Sequence, residues 1–382
     1  MWPQRSWFRS AGVLVAVAVV VLTGCGNFFV PPNNGGGGGG GGGGTGGTGS
    51  IYIANQSAGS LSGFTIGNGT VTQISGLPMS LGFQPTALVV SPNNSFLYVA
   101  GTGSISVYAI NSDGSLTAKN NGVVISVLAL DVSPDGKWLF GLDAIQNTLD
   151  EFQIDASSGG LSAMTPIPYP LGNGVTASPR MVKVSSGGNF IFAALGTGGD
   201  SVFTLNTATG DVVHVQHLSV NASSTSDNAL TVDSATSYLY IARSGSGGGV
   251  GVYSIGSGGV LNPISGSPFA AGAQPFAVTL DTTGKYLYVA NRQDSTISGY
   301  SVGTAGSLTA LANSPFTSGT QVNSLGTEKS GTYVFAGASG GGPDLSMYSL
   351  DTTALGKLNL TKSVTTDSAT TPAGVVAITL TH

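Results

Sequence analysis

The chain has 382 residues, a formal net charge of −5, and only 8% charged residues, with glycine, serine and threonine filling much of the remainder. Such a balance supplies no basic field for a phosphate backbone, so nucleic acid is not an expected partner. Length alone allows two or three domains, but repeat folds run long as one domain, so the repeats decide the count.

The first 25 residues read as a processing signal. Arg5 and Arg9 precede an apolar run from Ala11 to Leu22, too short to span a bilayer comfortably, and small residues follow. Leu22-Thr23-Gly24-Cys25 resembles the lipobox of bacterial lipoproteins, which implies lipidation of Cys25 and a mature N-terminus there. The alternative is an ordinary signal peptide cut nearby. Cys25 is the sole cysteine, so no intramolecular disulfide can form. Residues 26–49, with glycines from Gly35 to Gly44, read as a flexible tether spanning roughly 25 to 30 Å. No strand precedes this run and no Lys-Ser/Thr closes it, so it is not a phosphate loop.

From residue 50 onward an aromatic recurs near the start of one strand, at Tyr52, Tyr98, Phe140, Phe192, Tyr240, Tyr288 and Phe335. Spacings of 42 to 52 residues, without helical periodicity, suit a four-stranded propeller blade. An apolar inner strand and a tight turn precede these anchors, as in LALDVSPDGK and AVTLDTTGK. The expected fold is therefore all-β, a seven-bladed β-propeller over residues 50–382. Tyr52 has no inner strand before it, and a spare one, Gly374 to Leu380, ends the chain. This C-terminal strand is expected to complete the N-terminal blade and close the ring, leaving no open sheet edge.

Aligned on their turns, the inner strands alternate with period two. One parity is large and apolar, as in Leu88 and Val90. The other begins with Ala87, Ala129, Met181, Ala229, Ala277, Ser324 and Gly374, small enough for strands converging on an axis. Its next position holds Asp131 and Lys183 on adjacent blades, which are expected to pair near the channel.

Loops after the anchor strands and loops entering the inner strands share one face of the ring, where propellers place their sites. Asp143, Asp227, Arg180 and Arg243 are the candidates there for catalysis, since a carboxylate beside an oxyanion-binding arginine could act on an acyl group. Asn291, Arg292, Asp294, Gln274 and Gln321 are the candidates for binding. His214 and His217, three apart on an outer strand, should point to opposite faces, which argues against a metal site there. Two G-x-S-x-G matches, at Gly299 and Gly337, are about as many as chance allows in so glycine-rich a chain, and neither reads as a strand-to-helix elbow. No metal or cofactor is expected.

The YLYVAN, YVAG and SPDGKWLF segments, with their Pro-led inner strands, resemble bacterial seven-bladed propellers of the YVTN type. They also resemble the lactonase family that includes 6-phosphogluconolactonase and the muconate-lactonizing cycloisomerases. That resemblance implies lactone chemistry by His, Glu and Arg on the mouth face, where this chain places no His. Two functions follow as expectations. The first is an exported, lipid-anchored scaffold that binds a small molecule, polymer or protein at its channel mouth. The second is a lactone hydrolase. A monomer tethered through Cys25, at the outer membrane or cell surface, is expected in either case.

Overall fold

A computed structural model describes residues 49–164, 169–171, 178–220 and 224–382. The predicted leader with Cys25, and the tether up to residue 48, lie outside the described residues. The described chain folds into seven antiparallel sheets in a ring, each ordered inner, anchor, third and outer strand from the axis outward. Blade I joins Val375–Leu380 to Gly49–Asn55, Ser60–Gly67 and Thr70–Gln73. The inner strands of blades II to VII are Pro85–Val90, Leu130–Val132, Met181–Val184, Ser226–Val232, Pro275–Leu280 and Val322–Thr327. Ring closure by the last strand is as expected, with Tyr52 opposite Thr379 and Ala54 opposite Ala377.

The anchor strands are apolar on both faces because each blade is sandwiched between two others; Phe96–Gly101 is buried along its whole length. The core is thus a set of layers between neighbouring blades. One layer sets Tyr98 and Ile105 of blade II against Leu130, Leu139 and Phe152 of blade III.

The aromatic repeat works across these layers. Tyr52, Tyr98 and Tyr288 donate their hydroxyls to the carbonyls of Gly114, Gly159 and Gly356, each in the turn between third and outer strands of the following blade. Burial pushes the Tyr52 hydroxyl up to about 12, which keeps it a donor. The glycine is required twice over. Gly159 has φ +71, and a Cβ there would lie 2.5 Å from the Phe96 ring. Gly356 has φ +82, and its Cβ would meet Tyr286 at 2.4 Å.

Outer strands are interrupted in blades I, III and VI, where Met79–Ser80, Tyr169–Pro170 and Phe316–Thr317 resume pairing with the third strand. Pro78 and Pro315 lie in two of these breaks, where proline cannot donate to the ladder.

Two expectations are corrected. The final strand begins at Val375, and Ala377 and Thr379, not Gly374 and Val376, occupy the positions equivalent to Ala87 and Val89. No turn follows this strand to set its register, and Gly374 instead turns the chain with φ +73. His214 and His217 lie on one face, opposite Phe203 and Ser201, because a β-bulge at Val215 breaks the alternation. His214 meets the Phe203 ring edge-on at 5.2 Å, and Ser201 Oγ lies 3.2 Å from His217 Nδ1. No cluster of three metal-ligating side chains exists among the described residues. Nor do they include a helix long and apolar enough to cross a membrane.

Candidate functional site: the channel mouth

Where each inner strand starts, two of its residues oppose one residue of the anchor strand. Register shifts place this bulge at Val376, Thr86, Asn228, Phe276 and Asn323 in blades I, II, V, VI and VII. In blade III the N–H of Leu128 donates to the Leu142 carbonyl while Ala129 accepts from the Leu142 N–H, and Arg180 shares Ala194 with Met181 in the same way. A bulge re-aims the extra side chain. All seven of these residues line one cavity of about 180 Å³ at the axis. Below them the wall is formed largely by alanines, including Ala87, Ala129, Ala229, Ala277 and Ala377, with Met181 and Ser324.

Arg180 is the only charged side chain among the described residues of this lining. It is exposed, follows a proline at the strand entry, and has no carboxylate partner among the described residues. The other polar groups are mostly occupied. Asn228 Nδ2 donates to Ser244 Oγ and the Pro275 carbonyl, and its Oδ1 accepts from Ser226 Oγ. Thr86 Oγ1 donates to the Val127 carbonyl. Asn323 Nδ2 donates to the Val375 carbonyl at 2.9 Å, whereas its buried Oδ1 has no partner.

The remaining sequence candidates divide by position. Arg292 is second at the mouth, with its guanidinium stacked 4.8 Å from the centroid of Phe276. Asn291 and Asp294 hold the neighbouring loop, accepting from the N–H groups of Gly272 and Ala273 at 3.1 and 2.6 Å. Gln274 and Gln321 stand at equivalent strand entries with φ of 54° and 56°, left-handed values uncommon for residues other than glycine.

Arg243 and Asp227 are brought together, but away from the cavity lining. Arg243 Nη2 donates to Asp227 Oδ2 at 2.8 Å and Nε donates to Oδ1, in a pair where Asp227 is fully buried. Asp200 lies 3.9 Å from Arg243. Burial, and then the charge on Asp227, raise its carboxyl well above the ordinary carboxylate range. Asp143 is buried too and caps its own loop, accepting from the N–H groups of Ile145 and Gln146. Of the expected acid-beside-arginine pairs, Asp227 with Arg243 is assembled, outside the cavity lining, and neither Asp143 nor Asp227 is paired with Arg180.

Sequence reasoning passed over Phe276, Asn228, Thr86 and Leu128. The usable signal was the residue just after the strand-entry position, as in Gln84-Pro85-Thr86 and Gln274-Pro275-Phe276. At the opposite end of the inner strands, Lys183 Nζ lies 3.2 Å from Asp131 Oδ2, the expected pair.

These features define a seven-bladed propeller with a small, arginine-bearing cavity at its mouth. The family model for lactonase, 7-bladed beta-propeller, matches residues 197–334 and 235–374. Solved structures agree on the fold. A candidate 6-phosphogluconolactonase from Bacteroides uniformis aligns with a TM-score of 0.72 at 18% identity, over 87% of this chain and 98% of that one. A periplasmic gluconolactonase from Pseudomonas aeruginosa aligns at 0.65 and 16%, over 87% and 99%. A protein from Lactobacillus plantarum aligns at 0.72 and 18%, over 87% and 99%. No curated protein sequence matches the chain. Residues 197–374 thus match the lactonase model, and the described residues share the seven-bladed β-propeller fold of these structures.

Proposed function

We propose that the protein hydrolyses a small lactone at the channel mouth. The observation that carries this reading is the placement of Arg180, the sole charge among the described residues of the cavity lining and unpaired by any described carboxylate. A guanidinium there can hold the lactone carbonyl oxygen and stabilise the charge that develops on it. The oxygen of water bonds to the carbonyl carbon, the ring C–O bond breaks, and one water proton ends on the released hydroxyl. The other leaves to solvent as the new acid ionises. The match of residues 197–374 to the lactonase model supports the reaction class. No carboxylate or imidazole is among the described cavity-lining residues, so the protein's work is electrostatic and positional, with solvent taking the proton.

That same poverty of acid–base groups favours a second reading, in which the mouth binds its ligand without turnover as a scaffold would. A pH-stat assay over a panel of lactones separates the two. Hydrolysis above the spontaneous rate, abolished by loss of Arg180 but not of Arg243, is the expected result; no acceleration of any lactone leaves the binding reading. The lipobox-like Leu22 to Cys25 and the glycine tether support export and membrane anchoring through Cys25. Cys25→Ser is expected to abolish incorporation of labelled fatty acid, and undiminished labelling would overturn that assignment.

A further inference from the structure

We infer that the mouth cavity selects a small lactone with an apolar, alkyl-substituted body, rather than a polyhydroxylated or phosphorylated sugar lactone; this rests on the lactonase reading and specifies its substrate class. The cavity, about 180 Å³, is smaller than the roughly 300–1,000 Å³ common for drug-sized ligands, so a ring with a short substituent is the scale that fits. Its floor offers methyl groups: Ala129, Ala229, Ala277 and Ala377 present no donor or acceptor side chain, and Met181 adds a soft apolar wall.

Sugar hydroxyls need partners once water is stripped away, and the polar side chains at this level are largely spoken for. Asn228 is bonded at both ends of its amide, Thr86 donates to Val127, and Ser324 Oγ accepts from the Ile378 N–H, which leaves Asn323 Oδ1 as the buried side-chain acceptor still open among the described lining residues. Asn323 Oδ1 can meet one hydroxyl, but a polyol on this alanine floor would leave most of its hydroxyls unpaired, which a site rejects, whereas an alkyl group gains by leaving water. A phosphate would ask for more than one cation. Arg180 is the single charge among the described residues of the lining, and the Arg292 guanidinium, 4.8 Å from the Phe276 ring centroid, is not part of it. One guanidinium suits one carbonyl, or the one carboxylate of the ring-opened hydroxy acid.

The test uses the purified protein with γ-caprolactone, glucono-δ-lactone and 6-phosphogluconolactone, and calorimetric binding of the ring-opened acids. The expected result is a kcat/KM for γ-caprolactone at least about tenfold above either sugar lactone, in the range a missing or unmatched contact produces. Ala277→Leu, which fills the floor, is expected to lower turnover of γ-caprolactone; the comparison on the unaltered protein stands even if that variant fails to fold. Preference for 6-phosphogluconolactone or glucono-δ-lactone would overturn the inference and leave lactone hydrolysis intact. If no lactone is turned over but 4-hydroxyhexanoate binds more tightly than 6-phosphogluconate, and loses that affinity in Arg180→Ala, the hydrolase reading fails and the selectivity stands. If neither acid binds and no lactone is hydrolysed, both fail.

Discussion

Arg243 grips Asp227 with two nitrogens, Nη2 reaching Oδ2 at 2.8 Å, and so ties the anchor strand of blade V to its own inner strand. Asp227 also pairs with Gly196 of blade IV, through backbone hydrogen bonds in both directions. In other blades the position of Asp227 is apolar, held by Pro85, Pro275, Val322 and Val375. Blade V replaces packing with a buried ion pair, and burial raises the carboxyl of Asp200 beside it well above the ordinary carboxylate range. Two residues singled out as catalytic are in this way joined as a structural clamp.

Arg243→Leu is expected to destabilise the protein by about 3–5 kcal/mol, because Asp227 is left buried and unpaired. Urea unfolding measures this, and lactone turnover per folded molecule should stay within a factor of about two. Normal stability with abolished turnover would return Arg243 to the chemistry.

Closure depends on groups more than 300 residues apart in sequence. Thr366 Oγ1 donates to Asn55 Oδ1 at 2.7 Å, and Ser60 Oγ donates to Asp367 Oδ2 at 2.6 Å. Deleting Gly374–His382 removes the strand that pairs with Ile51–Asn55 and opens a sheet edge, so aggregation on size-exclusion chromatography is expected. A soluble monomer from this truncation would contradict the closure.

Stability should fall as pH rises from about 4 to about 7. Burial pushes the carboxyls of Asp150 and Glu151 up to about 6 and about 7. Raised carboxyl pKa values mean that the folded state binds more protons than the unfolded state between about pH 4 and 7. Stability is therefore lost as pH rises through that window. Asp150→Asn is expected to flatten the decline and to raise stability at pH 8 by the order of 2 kcal/mol, read from melting curves at several pH values. An Asp150→Asn variant with the same pH dependence as the parent would refute it.

The channel pair divides unequally. Lys183 is nearly half exposed, so Lys183→Ala should cost under about 1 kcal/mol. Asp131 is buried and also accepts from the Val184 N–H at 2.7 Å, so Asp131→Ala should cost more, about 1–3 kcal/mol, by stranding that donor. Equal effects in urea titrations would show that the ion pair alone matters.

The scaffold was legible because it repeats. Seven aromatics at blade spacing, and turns such as Ser133 to Gly136, announce themselves in one chain, and the spare C-terminal strand forces the closure. The mouth was less legible because bulges defeat a period-two reading. Counting outward from the turns places Ala87 and Ala277 correctly, then misses Thr86 and Phe276, which the bulge turns into the cavity. The same effect put His214 and His217 on one face. Asp227 beside Arg243 was one of the pairings the sequence allowed, but that the pair would be buried outside the cavity lining depends on strand register, which the sequence does not display.

Arg180 gives the most direct test. Steady-state kinetics of Arg180→Ala on the best lactone substrate should show kcat/KM reduced by about 10²–10³-fold, as when an oxyanion-stabilising donor is removed, with the melting temperature unchanged. Turnover equal to that of the unaltered protein, in a variant equally well folded, would contradict the assignment of lactone hydrolysis to the channel mouth.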